Sequence, residues 1–181
     1  MRILHTSDWH IGRTFHKNPT LEALEQVFDA MVGLVEEQQI DVVLAAGDIF
    51  DSSTPSAQAV KLLDSFLIRL ADVGAKVVMT SGNHDSPERL GARSAFAHQA
   101  GIHVLTETEN LATPISIDDD HGPVHFYGVP YIEPPLYRHI WTDAESMRSQ
   151  KDALGYGLDL VRDDWAERGG RAVVLAHTFV A

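Results

Sequence analysis

Four short polar stretches carry the residue types from which catalytic metal centres are built: Ser7-Asp8-Trp9-His10, Gly47-Asp48-Ile49-Phe50-Asp51, Gly82-Asn83-His84-Asp85, and His177. Asp, His and Asn offer oxygen and nitrogen ligands that suit Mn²⁺, Fe or Zn²⁺. A carboxylate can bridge two such cations about 3.5–4 Å apart, and the pair then generates a hydroxide and clamps a phosphoryl group. A second imidazole outside the ligand set can protonate the leaving oxygen or stabilise its charge. Asp8 and His10 are two residues apart, so on an extended segment both turn to the same side. Gly47 and Gly82 allow sharp backbone turns beside them. Taken singly, each residue also reads as a cap or turn: Gly82 and Asn83 suit turns, and Ser86-Pro87 suits a helix start. Asp51 fits a turn cap and a site role equally.

The elements that must position these residues decide between the readings. Segments 2–6, 41–46 and 76–80 are short and apolar on both faces, as buried parallel strands are. Between them, Leu21, Leu24, Phe28, Met31 and Val35 mark one amphipathic helix, with Asn18-Pro19 as its cap and first residue. Val60, Leu63, Leu67 and Leu70 mark a second, after Thr54-Pro55. A shorter helix is predicted over 88–99, and strands over 102–105, 114–117 and 124–129, with a hairpin turn at 118–122. A long helix follows, with Thr142 and Glu145 as capping box and Met147, Leu154, Leu158, Val161 and Trp165 on one face. Segment 171–176 is a last apolar strand. This order predicts an α/β domain with a largely parallel sheet flanked by helices. The polar stretches end its strands and meet at the edge where α/β proteins bind ligands.

Bulk properties narrow the function. With 181 residues, 44% of them hydrophobic, the chain can bury one sizeable core. No stretch approaches the roughly 20 apolar residues of a membrane span, and Met1 runs straight into a strand pattern rather than a signal peptide. Zero cysteines exclude disulfides and thiolate ligands and fit a reducing, cytoplasmic setting. The net charge of -12 argues against a broad basic nucleic-acid surface, unless bound cations neutralise the carboxylate pocket or another segment or subunit supplies the positive charge. Arg13, His16, Lys17, Arg89 and Arg93 flank the motifs and are candidates for phosphate contact or ordinary solvated surface. His5, His98, His103, His121, His125 and His139 are read as packing or surface residues.

The motifs D-x-H, G-D-x-x-D and G-N-H-D, in that order and each after a strand, resemble the calcineurin-like metallophosphoesterase superfamily. The fuller wording HTSDWHIGRTFH, AAGDIFDSSTPS, SGNHDSPERL and LAHTF resembles its SbcD family of bacterial nuclease subunits, over the whole chain. The resemblance implies a calcineurin-like sandwich with the metal site at the C-terminal ends of strands. Asp8 and His10 would hold one metal, Asn83 and His177 the other, and Asp48 would bridge. His84 would be the catalytic histidine, oriented by Asp85. It further implies two divalent ions, Mn²⁺ first with Mg²⁺, Fe or Zn²⁺ as alternatives, and an exo- and endonuclease acting on DNA ends and hairpins in repair and recombination. An SbcC-like ATPase subunit would be its partner. A homodimer through helices 56–71 and 88–99 is also implied, in which Leu90 and Phe96 either meet a second copy or pack on the sheet. The family has a later G-x-H-x-H-type motif, which this sequence lacks. Residues 1–181 are therefore expected to be the N-terminal part of the domain, without its last strands and metal-ligand histidines and with weak or no activity. A phosphoesterase for nucleotides or small phosphoesters, and a non-catalytic assembly module, remain the alternatives.

Overall fold

A computed structural model describes residues 1–16, 18–92, 94–137 and 148–179. Lys17, Arg93, His139, Met147 and the capping box expected at Thr142 and Glu145 lie outside the described residues.

The chain opens with β1 (Ile3–Thr6), a small hairpin of β2 (Thr14–Phe15) and β3 (Asn18–Pro19), then α1 (Leu21–Glu37), β4 (Val42–Ala46), α2 (Ala57–Asp72) and β5 (Lys76–Thr80). Two short helices, α3 (Pro87–Gly91) and α4 (Ser94–Gln99), lead to β6 (Ile102–Leu105). Strands β7 (Ile115–Asp119) and β8 (Gly122–Val129) form the expected hairpin, followed by α5 (Pro134–Tyr137), α6 (Gln150–Arg168) and β9 (Arg171–Ala176). The first four long strands pair in parallel in the order β1-β4-β5-β6.

The sheet is not single. β7, β8 and β9 form a second, three-stranded sheet, antiparallel between β7 and β8 and parallel between β8 and β9. Because side chains alternate across a strand, Val42, Leu44, Ala46 and Val78 turn one face of the first sheet onto Ile117, Val124, Phe126 and Leu175 of the second. The opposite residues Val43, Ala45, Val77 and Met79 meet Phe28, Val32 and Val35 of α1 and Leu63, Phe66 and Leu70 of α2. On the outer face of the second sheet, Tyr127 and Val129 pack against Ala153 and Val161 of α6. The layers run helix, sheet, sheet, helix. Tyr127 Oη donates to Asp164 Oδ2 at 2.7 Å, and Arg168 holds the same carboxylate, fixing α6 to β8.

Two local expectations change. Asn18 and Pro19 do not start α1: they pair with Phe15 and Thr14, and Thr20 takes the position before the helix, its hydroxyl donating to Arg13 O rather than capping. Pro19 sits in an isolated two-strand ribbon, where a missing N–H costs no ladder bond of a larger sheet. The predicted helix over 88–99 is two short helices. Helix α6 is capped by Ser149 and Asp152, whose side chains each take the other residue's backbone N–H. His103 and His125 are buried packing residues, as expected, bonded to His98 and Ser116. Burial, with His98 and Lys76 adding, lowers His103 to about 4 and keeps it neutral. No helix among the described residues is long and apolar enough to cross a membrane.

Candidate metal centre

The loop after β1 is anchored by the residue between its two polar ones. Trp9 is buried edge-on against Phe28 and Phe66, at ring centroid distances of 5.4 and 5.3 Å, and Phe28 and Phe66 stack on each other at 4.0 Å. With Trp9 committed to the helices, Asp8 and His10 are left to the strand ends. Backbone bonds zip this loop to the one after β4: Asp8 N–H donates to Gly47 O, His10 N–H to Asp48 O, Ile11 N–H to Ile49 O and Asp51 N–H to Ile11 O. The segment is not extended, contrary to the reading from the spacing. Asp8, His10 and Asp48 have φ of 56°, 45° and 50°. Left-handed backbone at a non-glycine residue costs of order 1–3 kcal/mol and persists where the surroundings demand it, although Asp and His tolerate it better than most residues. Three such residues in one cluster point to a site.

The cluster centres on Asp48, which is 3% exposed. Its Oδ2 lies 3.6 Å from His10 Nε2 and its Oδ1 lies 3.7 Å from His177 Nε2, while Asp8 Oδ1 is 3.9 Å from His10 Nε2. His177 Nε2 is 3.2 Å from Asn83 Oδ1. Apart from the last, these separations exceed hydrogen bonds. They are near the spacing of neighbouring ligand atoms around a cation bonded at about 2.0–2.2 Å. Donor atoms of His10, Asp48 and His84, and separately of Asp8, Asp48 and His177, fall within 4.8 Å of one another. Asp48 belongs to both groups, so the donor set can take two cations there; the groups place Asp8 with His177 and His84 with His10, whereas the resemblance pairs Asp8 with His10 and leaves His84 outside the ligand set.

Surrounding groups fix which ring nitrogen faces the cluster. His177 Nδ1 donates to Ala46 O at 2.8 Å, leaving Nε2 inward. His10 Nδ1 lies 3.1 Å from Asp51 Oδ1, an ion-pair distance although off the line of the ring N–H. His84 Nδ1 bonds the Asp51 carbonyl at 3.0 Å, and the His84 backbone N–H donates to Asp48 Oδ1 at 2.9 Å. That carbonyl is the main cause raising His84 above the ordinary imidazole range; partial burial opposes it, and Asp48, Asp51 and Asp85 reinforce it. Asp51, left open by the sequence, therefore braces two histidines through different atoms.

Asp85 does not orient His84 as expected. Its carboxylate accepts three backbone N–H groups, from Ile49 at 3.0 Å, Phe50 at 2.8 Å and Gly82 at 2.9 Å, which tie the loop after β4 to the loop after β5. Burial raises its pKa, opposed by those three bonds. The glycines also serve differently from the expected turns. A Cβ on Gly82 would stand 2.1 Å from Asp48 Oδ1, and one on Gly47 2.3 Å from His177 Nδ1. Close approach demands both, and φ of +76° adds to it only at Gly47.

The proposed phosphate contacts are less gathered. Arg13 is exposed at the edge of the centre, its N–H donating to His10 O. His16 leans on Phe15 in the β2–β3 hairpin. Arg89 turns to the apolar groove between α2 and α4, with Pro55, Leu90 and Phe96, rather than to the cluster. Its place at the third residue of α3, after the Ser86 cap, sends it to that side.

A model of the calcineurin-like phosphoesterase family matches residues 1–180. Among curated proteins, the SbcD subunit of nuclease SbcCD from Bacillus subtilis (strain 168) is 42% identical over 119 residues, covering 63% of this chain and 30% of the relative. The protein of the same name from Staphylococcus saprophyticus is 33% identical over 155 residues, covering 85% of this chain and 40% of the relative. The chain thus spans less than half the length of these relatives.

Proposed function

The chain belongs to the calcineurin-like phosphoesterase family, and from that premise we propose that it is a divalent-metal-dependent DNA phosphodiesterase. In this reading it is an exo- and endonuclease on DNA ends and hairpins, acting in the cytoplasm with an SbcC-like ATPase in DNA repair and recombination. The observation that carries the reading is Asp48, whose two carboxylate oxygens each face a different imidazole Nε2. Asp8 and His10 would hold one cation, Asn83 and His177 the other, and Asp48 both. Two divalent ions, Mn²⁺ before Mg²⁺, Fe or Zn²⁺, supply a hydroxide nucleophile near neutral pH and charge neutralisation at the phosphoryl oxygens. His84, held at Nδ1 by the Asp51 carbonyl, has Nε2 left to donate a proton to the alkoxide leaving as its P–O bond breaks. Asp85 holds the two loops on which Asp48 and His84 stand.

The test is cleavage of labelled duplex and hairpin DNA, with Mn²⁺ and with chelator, by a protein that also carries the later G-x-H-x-H-type motif. Cleavage is expected only with the metal, and His84→Ala is expected to lower it about 10²–10⁴-fold while Mn²⁺ binding by calorimetry persists. Hydrolysis of a small phosphodiester with no cleavage of any DNA would favour the small-phosphoester reading. Hydrolysis of neither would favour an assembly module.

The same reading includes a homodimer through α2 and α3–α4. Phe96 is 80% and Ile68 59% exposed, so neither is taken up by the sheet, and with Leu67 and Leu90 they border a cavity of about 530 Å³. Phe96→Asp should therefore give a folded monomer in sedimentation, with a melting temperature that no longer rises with protein concentration. A wild-type protein that stays monomeric at high micromolar concentration would end this part of the proposal.

A further inference from the structure

Beside His177 stand two aromatic side chains that the catalytic scheme leaves without a task. Tyr131 follows β8 and is fixed there by its backbone N–H, which donates to Ser81 O at 2.9 Å, next to the Gly82-Asn83 turn. Its ring meets the His177 ring at 6.4 Å and 73° and the Phe179 ring at 6.2 Å and 88°. Phe179, two residues beyond His177, is 70% exposed. We propose that the exposed face of Phe179, backed edge-on by Tyr131, is a stacking platform for the nucleobase of the nucleotide whose phosphate lies at the Asp48 cluster. The proposal rests on the phosphodiesterase reading of that cluster and names a further part of its substrate, the base.

Two observations favour a base over another occupant. The first is position: Tyr131 meets the His177 ring, whose Nε2 lies 3.7 Å from Asp48 Oδ1 and 3.2 Å from Asn83 Oδ1. A phosphate at the cluster therefore has its own sugar and base within reach of Tyr131 and Phe179. The second is charge. Asp8, Asp48 and Asp51 line the loops after β1 and β4, the chain carries -12 overall, and Arg13 is the one Lys or Arg among the described residues of the 7–20, 47–56 and 81–86 loops. Backbone attraction through clustered cations is weak here. Stacking needs no cation, accepts every base, and strengthens binding about tenfold or more per base. Affinity carried this way falls only slightly with added monovalent salt.

The probe is 2-aminopurine deoxyriboside 5′-monophosphate, whose fluorescence is quenched by stacking, titrated with Mn²⁺ present; deoxyribose 5-phosphate, which has no base, serves as competitor. Phe179→Leu and Tyr131→Leu should each weaken the quenched binding about tenfold, Phe179→Trp should restore it, and the competitor's affinity should be the same in all variants. Absence of quenching in the wild type, unchanged binding in Phe179→Leu, or equal weakening of both ligands would overturn the platform. Mn²⁺-supported hydrolysis of methyl p-nitrophenyl phosphate, a diester without a base, reports on the cluster separately. Its absence from a protein that also carries the later G-x-H-x-H-type motif would overturn the phosphodiesterase reading, whatever the fluorescence shows.

Discussion

Asp48→Asn is expected to remove Mn²⁺ binding at one cation position and to weaken it at the other and, on the nuclease reading proposed above, to lower DNA cleavage by more than the about 10²–10⁴-fold that a lone proton donor contributes. One oxygen of Asp48 faces His10 Nε2 at 3.6 Å and the other faces His177 Nε2 at 3.7 Å. An amide keeps one oxygen and turns an NH₂ group toward the other imidazole, so it can serve one cation at most, without charge. Asparagine is the right probe because it tolerates the left-handed backbone that position 48 adopts at φ 50°. The melting temperature should therefore move little while Mn²⁺ binding is lost at one position and weakened at the other. Calorimetric titration with Mn²⁺ decides the matter: two undiminished tight sites in the variant would exclude a bridging role for Asp48.

Much of this centre is legible in the sequence because its residue types are unusual in combination. Asp-x-His, Gly-Asp-x-x-Asp and Gly-Asn-His-Asp each follow an apolar run short enough to be a buried strand, and a strand end is where side chains from distant segments meet. The runs 76–80 and 171–176 coincide with β5 and β9 to the residue, since continuous apolar character bounded by Gly or polar residues leaves few other conformations.

What cannot be read is which strands share a sheet. The 171–176 run has the same apolar character as 76–80, and only the pairing of Val124 with Arg171 through Val129 with Ala176 assigns it to a second sheet. Backbone conformation is hidden too. The two-residue spacing of Asp8 and His10 suggests an extended segment, but Trp9 is buried edge-on against the stacked Phe28 and Phe66, and the residues on either side of it take left-handed backbone. Gly82 looks like a turn glycine, whereas its contact is a side chain distant in sequence, that of Asp48.

Asp85→Ala is expected to destabilise the protein by at least about 3 kcal/mol, because it leaves the buried N–H groups of Ile49, Phe50 and Gly82 without partners at about 1 kcal/mol or more each. For a chain of this size that lowers the melting temperature by roughly 10 °C. Removing the carboxylate also relieves its burial, the cause that raises its pKa, and this offsets part of the loss. Asp85→Asn keeps one acceptor oxygen but faces an NH₂ toward N–H donors, so it should fall between alanine and the wild type in stability. Were Asp85 an orienting partner of the His84 ring, asparagine would instead melt like the wild type and lose turnover alone. The structure separates these outcomes, because the His84 ring is held by the Asp51 carbonyl at 3.0 Å and the Asp85 oxygens are taken by backbone. Thermal melting of the three proteins, with Mn²⁺ affinity measured well below the transition, distinguishes them. A wild-type melting temperature in Asp85→Ala would show that these three hydrogen bonds do not hold the loops, and would return Asp85 to the expected role of orienting the His84 ring.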